Sequence, residues 1–294
     1  MARLSNFYGS VFNGFAKLGK MYDQGEHIPK FISHFYDMFK KSSINRNYNG
    51  NVIDLSTKLR VKRMSDYSKT REEIPDPFNL GSETIESYTL PDIKETFILT
   101  PEILEKRLAK EPYYYQEEHV AGIVLQEALS DAIEAISRRN EKSAIEALTT
   151  GKITTKDDTE ILSFPSTATH ITTPAHTWGT ADADPMKDLV TMCDLLYKDG
   201  GVNTFDASGL KTASKELFPS KDVLLIAKYA PLQLGLGKPA VLKPQANANY
   251  QYIDLGEYVV TIESRKTDIE MVVWYCGAPL INSMDRIGTI KAVA

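Results

Sequence analysis

Apolar residues recur every three or four positions through Val120, Ala121, Val124, Leu125, Ala128, Leu129, Ala132, Ile133 and Ile136. That spacing lays them along one stripe of an α-helix. No proline interrupts the stretch from Tyr113 onward, and the pattern predicts a helix over 115–148. At about 1.5 Å per residue, the part before Arg138 alone spans roughly 35 Å, long beside a typical globular helix of about eleven residues. The stripe is rich in alanine and interrupted by glutamates, which fits a close-packed partner on one side and water on the other. Arg138, Arg139 and Asn140 read as a polar break, and Gly151 ends a second, shorter piece.

Two aromatic stretches come earlier. Phe7, Tyr8, Val11, Phe12, Phe15 and Leu18 share one helical face. Ile28, Phe31, Ile32, Phe35, Tyr36 and Phe39 form a second amphipathic piece after a break at Gly25–Pro29. So much aromatic surface does not stay in water, and the polar face has too few lysines and arginines for an interfacial membrane helix. The expectation is an arm that docks on this chain or on a neighbour.

From Ile53 to Val61 the period changes to two: Ile53, Leu55, Thr57, Leu59 and Val61 alternate with Asp54, Ser56, Lys58 and Arg60. This predicts a half-buried strand. A polar stretch from Arg63 to Ser82 follows, then a second extended run over 83–99, so the pair reads as a hairpin around a long charged connector. Connectors of that length are usually functional or interaction elements. Thr100-Pro101 starts a short helix in cap and first-turn positions.

Beyond Gly151, short strands are expected over 153–155 and 160–164, then loop over 165–183. Asp184-Pro185 opens another helix that stops at Gly200-Gly201. Strands are expected over 203–206 and 223–227, a helix over 208–217, and irregular chain from Leu234 to Pro244. A hairpin of 258–263 and 269–275 and an extended 286–293 close the sequence. The mixed order predicts an α+β fold.

The chain has 294 residues, enough for about two domains, and 42% hydrophobic with 25% charged residues is the balance of a folded protein. A net charge of -5 argues against a basic face built to grip nucleic acid. Cys193 and Cys276 form no CxxC pair and read as small apolar residues in a reducing compartment. The start lacks a signal-peptide pattern, and no apolar run reaches the ~20 residues of a membrane span. A soluble protein made in the cytoplasm is expected.

The search for chemistry returns little. The histidines lack metal-ligand spacing, and neither a metal site nor a cofactor is expected. Gly235-Leu236-Gly237-Lys238 lacks phosphate-loop spacing, and Pro239 follows the lysine where Ser or Thr is required. An α+β hydrolase using His119 with Glu117 or Glu118 is the enzymatic alternative, although carboxylates along a helix are ordinarily a solvated face. The basic cluster Lys58, Arg60, Lys62, Arg63, Lys69 and Arg71 suits either phosphate or an acidic neighbour. What stands out is a set of projecting elements whose apolar faces need partners.

Several segments, taken in order, carry a family resemblance. They are YTLPDIKETFILTPEIL, Leu148-Thr149-Thr150-Gly151-Lys152, HTWGTADADPMKDL, Val202-Asn203 through Asp206-Ala207, and CGAPLINSMDRIGTIKAVA. Together they resemble the lambda-like capsid protein E family of tailed-bacteriophage major capsid proteins, over roughly residues 50–294. The resemblance implies the phage major capsid fold, with a long spine helix, an extended hairpin loop and an N-terminal arm. It implies an arm at 1–49, a hairpin at 50–95 and a peripheral domain at 96–186 around the spine helix. An axial domain at 187–276 and a returning strand at 277–294 complete the division.

Intersubunit contacts are expected at Phe7, Phe12, Phe15, Phe35 and Phe39 of the arm and at Arg60, Arg63, Lys69 and Arg71 of the hairpin. The implied function is a non-enzymatic head protein that assembles as hexamers and pentamers into an icosahedral shell around double-stranded DNA. Its partners are then further copies of itself, a portal, scaffold and cementing proteins where a shell needs them, and DNA held without sequence specificity. No membrane takes part. The shell protein of a cellular protein compartment is the alternative of related fold.

Overall fold

The structure, a computed structural model, describes residues 2–23, 33–41, 46–47, 51–58, 83–110, 117–164, 170–178, 180–200, 205–206, 222–227, 232–239, 250–282 and 284–291. Helices α1 (Ala2–Asp23) and α2 (Phe35–Lys40) come first. Strands β1 (Arg46–Asn47), β2 (Val52–Lys58), β3 (Glu83–Thr89) and β4 (Asp92–Leu99) follow. Next are α3 (Pro101–Leu108), α4 (Glu117–Thr150), β5 (Lys152–Thr154), β6 (Glu160–Ser163) and β7 (Ile171–Thr172). Then come α5 (Pro185–Gly200), β8 (Phe205–Asp206), β9 (Asp222–Ala227) and β10 (Leu232–Leu236). The chain ends with β11 (Tyr250–Asp254), β12 (Tyr258–Ser264), β13 (Ile269–Ile281) and β14 (Ile287–Lys291). The fold is α+β, as the mixed pattern predicts.

The apolar stripe becomes α4, one helix of 34 residues, about 51 Å long at 1.5 Å per residue. The expected polar break at Arg138–Asn140 is absent. Helices α1, α2 and α3 and strands β4, β5 and β13 all pack on α4, so its C-terminal half is enclosed. Asn140 and Glu141 are buried there. Arg139 donates to the Thr154 carbonyl of β5. Arg139 and Glu141 thus serve neighbouring backbone and mark crowding, not a helix end. Gly151 does end the helix, with φ +70° in the left-handed region that favours glycine.

Strand β13 organises the main sheet. Its residues 269–276 pair antiparallel with β4 on one side and, through 269–275, with β12 on the other. Residues 277–281 pair with β10, and β11 extends the sheet beyond β12. Ile269, Met271, Val273 and Tyr275 are buried while Glu270, Val272 and Trp274 are half-buried, the two-residue alternation of a sheet with one face on a core. That face lies on α4. Each fully buried side chain of this size contributes roughly 1.5–3 kcal/mol.

Three expectations are corrected here. The run over 83–99 is two strands, because Leu90-Pro91 separates β3 in the hairpin from β4 in the main sheet. The stretch beginning at Leu234 is not irregular throughout: residues 234–236 belong to β10. The 165–183 loop contains β7, paired in parallel with β14. The expected helix over 208–217 lies outside the described residues.

A second sheet runs β7-β14-β9-β8. Helix α5 lays Met192 and Leu196 against Leu225 and Ile290 of this sheet. Asp184 caps α5 by accepting from the Lys187 N–H at 3.1 Å. One turn on, Asp188 accepts from Trp178 Nε1 at 2.8 Å, which ties the preceding loop to the helix. Two of the expected domain limits cross these sheets. β4 begins inside 50–95, and β11, β12 and most of β13 fall within 187–276 although they share a sheet with β4.

Candidate functional site

The hairpin is anchored at its base. β2 and β3 pair antiparallel from Val52↔Thr89 to Lys58↔Glu83. Ile53, Tyr88 and Leu90, at the base, are buried in the main core. The Tyr88 ring packs on Phe164 with centroids 5.8 Å apart. The opposite face of the ribbon is uncovered along its length: Val52 is 55% and Ile85 66% exposed. An isolated two-stranded ribbon is marginally stable in water, so an anchored ribbon with uncovered apolar side chains on its outer face is built to meet something else. Arg60, Arg63, Lys69 and Arg71, expected at this end, lie outside the described residues.

The described part of the aromatic arm docks on its own chain, one of the two placements expected of it. Phe7, Phe12, Phe15, Phe35 and Phe39 are all buried in the main core of their own chain. Their side chains therefore serve the core of their own chain. Helix α1 lies along the first half of α4 and α2 along the second. The described residues of both stripes find their partner within the chain because α4 offers a complementary apolar face on each half.

Polar groups fix this docking. Asn13 donates to Glu118 at 3.0 Å, and Ser10 to Glu117 at 3.5 Å. Buried Glu141 accepts from the backbone N–H groups of His34, Phe35 and Tyr36 at 3.1, 3.0 and 2.9 Å, which caps α2. Tyr36 and Tyr275 hydroxyls bond to each other inside the core. Sequence reading misses Glu141, since a glutamate in a long helix normally faces water.

The residues of the enzymatic alternative lie where α1 meets α4. Glu117 and Glu118 bind α1, and His119 is an exposed neighbour on the same helix turn. His170 is buried, with its ring nitrogen 3.2 Å from the Met284 carbonyl. Among the described residues no three of His, Cys, Asp and Glu gather as a metal site, and no helix is long and apolar enough to cross a membrane.

The open surface lies along β4. Between β4 and α4 runs a groove of about 410 Å³. Phe97, Ala128 and Ala132 form its apolar part, and Glu95, Glu127 and Asp131 its acidic part.

Residues 32–208 match the model of the phage major capsid protein E family. The chain belongs to that family. This phage capsid protein is thus a structural shell protein of the virion, as the sequence motifs imply. Its fold is similar to the capsid asymmetric unit of cyanophage A-1(L), with a TM-score of 0.56 and 14% identity over 91% of this chain and 95% of that one. It is also similar to a prophage protein of E. coli CFT073 assigned as a capsid protein, with a TM-score of 0.50 and 13% identity over 93% and 97% of the two chains. No curated protein sequence matches the chain.

Proposed function

We propose that this capsid protein assembles as hexamers and pentamers that close into an icosahedral head around double-stranded DNA. The observation that carries the reading is the hairpin, held at its base by Ile53 and Leu90 while Ile85 stands exposed toward the other end. In a closed shell each subunit repeats one set of surfaces, and the hairpin is the element with reach to lie over an adjacent subunit. A peripheral region would comprise α4 with the main sheet, and an axial region α5 with the second sheet. The acidic balance of the chain suits a wall that holds DNA without sequence specificity. A portal, scaffold and cementing proteins are the further partners of such a head, assembled in the host cytoplasm.

Electron microscopy of purified and virion-derived protein tests this. Regular shells with pentameric vertices and nuclease-protected DNA are the expected result. Monomers under every condition would refute shell formation, and shells that enclose protein cargo but no DNA would move the reading to a cellular compartment. Deleting residues 64–82 should leave a folded body that no longer makes stable shells.

A further inference from the structure

A cavity of about 370 Å³ lies where the start of β4 meets α4, the β5–β6 hairpin and residues 277–279 of β13. That is the size of small-molecule sites, which join an apolar lining to a few placed polar groups. Its apolar wall comes from Ile93, Ile153, Ile161 and Pro279. Ile161 is 38% exposed and brings this wall to the surface. The polar side comes from α4. Ser143 lines the cavity and is only 6% exposed, yet among the described residues its hydroxyl has no hydrogen-bond partner. Buried polar groups are almost always bonded, so a hydroxyl left open on a cavity marks the place of a ligand atom.

Arg139 lies one turn before Ser143, on the same face of α4. Its guanidinium donates to the Thr154 carbonyl and stands 4.0 Å from Glu146, which Lys142 also approaches at 3.4 Å. A guanidinium carries five N–H groups, so donors remain for a second acceptor. Lys156, exposed on the turn between β5 and β6, adds another cation to this side of the cavity. Asp92 and Glu95 of β4 also line the cavity and are exposed. We infer that the cavity binds a small apolar molecule bearing a single acid group. The acid group sits at Arg139, Ser143 and Lys156, where charge-assisted hydrogen bonds are strong, and the apolar body lies on the isoleucine wall. Asp92 and Glu95 repel a second negative charge, which excludes phosphomonoesters and dicarboxylates. The occupant touches β4, α4 and the β5–β6 hairpin at once. A ligand that binds only the folded chain stabilises it. The inference does not rest on the shell reading.

Probes that share one apolar body test it on the full-length, unassembled subunit: 4-phenylbutyrate, 4-phenylbutylamine and 4-phenylbutanol. Calorimetric titration should show saturable binding of one 4-phenylbutyrate per chain, with a rise in melting temperature. The amine and the alcohol should bind about tenfold more weakly, since both forgo the charge-assisted hydrogen bonds. Lys156→Glu alters an exposed turn residue and should weaken 4-phenylbutyrate binding about tenfold with circular dichroism unchanged. Ser143→Ala breaks no bond of the fold and places a better helix former in α4. Its melting temperature without ligand should hold or rise while affinity for 4-phenylbutyrate falls several-fold. A lower melting temperature in that variant would show the hydroxyl bonded within the fold and overturn the site. Absence of saturable 4-phenylbutyrate binding, or binding that Lys156→Glu and Ser143→Ala both leave unchanged, overturns it too. Equal affinity for acid and amine refutes the assigned head group. None of these failures bears on shell formation, which microscopy reads separately.

Discussion

Gly14 of α1 and Gly122 of α4 meet backbone to backbone. A Cβ added at Gly14 would lie 2.9 Å from the Gly122 nitrogen and 3.1 Å from the Glu118 carbonyl oxygen. A Cβ added at Gly122 meets nothing closer than the Gly14 Cα at 3.8 Å. The contact is therefore asymmetric, and the two glycines answer to different demands. Gly14→Ala must push α1 off α4, because backbone cannot step aside; such overpacking costs about 1–3 kcal/mol. Gly122→Ala fits in ordinary contact and gains up to ~1 kcal/mol of helix propensity. Denaturant unfolding of unassembled subunits should show the first variant weakened and the second unchanged or firmer.

Glu141 makes a comparable prediction in polar terms. Its carboxylate receives three N–H groups at the start of α2, a helix of only six residues. Removing the acceptor leaves buried donors unsatisfied, at roughly 1–3 kcal/mol each. Glu141→Ala should thus destabilise the subunit by about 3 kcal/mol or more. Glu141→Gln keeps one acceptor oxygen and should cost about half as much. Equal losses in the two variants, read by denaturant midpoints, would show that the cap is not the reason for the burial.

These two contacts also show where sequence reading stops. The long helix and both major hairpins are legible because period and turn residues are local properties. Gly14 and Gly122 stand in plain view within apolar stripes, yet nothing local says that they face each other. Arg138, Arg139 and Asn140 read as a break because polar residues usually mean water. The five arm phenylalanines reveal an apolar face but not whether its partner is the same chain. The open edge of β4 is invisible for a similar reason: edge or centre is a property of strand order, fixed by pairing to residues 269–276. Gly235 reads as loop because a residue without a side chain cannot show alternation.

Alkaline pH should weaken the fold. Burial pushes the Cys276 thiol from an ordinary 9.0 up to about 12, helped by a hydrogen bond to Asp92 and its charge. Burial likewise raises the Tyr36 and Tyr275 hydroxyls. The folded chain holds these protons more tightly than the unfolded chain does. The thiol's contribution is therefore complete below about pH 9 and lost as pH rises toward 12, while that of the hydroxyls begins to fade only above their ordinary 10.0. Each such group steepens the decline by up to ~1.4 kcal/mol per pH unit. Melting temperatures of the unassembled subunit should fall from pH 9 to 11, less steeply in Cys276→Ala. A flat profile in wild type would contradict the burial of these groups.

The hairpin base can be tested through Gly235. A Cβ at Gly235 would lie 2.7 Å from Ile53 Cδ1 and 2.6 Å from Leu280 Cδ1, with Leu90 Cδ2 at 3.2 Å. These atoms are side-chain ends, so they can yield where the backbone at Gly14 cannot. Gly235→Ala should then cost about 1 kcal/mol, near the low end for overpacking. Gly235→Val leaves Ile53 no room against β10 and should lift the base of β2 from the main sheet. Ile53→Val removes the Cδ1 in question, so combining it with Gly235→Ala should cost less than the two single changes summed, the mark of direct contact in a double-mutant cycle. Because Ile53 anchors the hairpin while α4 and β13 hold the body, shell yield should fall more steeply than melting temperature in Gly235→Val. A variant that loses stability and assembly in equal measure would place Gly235 in the general core and detach it from the hairpin's anchoring.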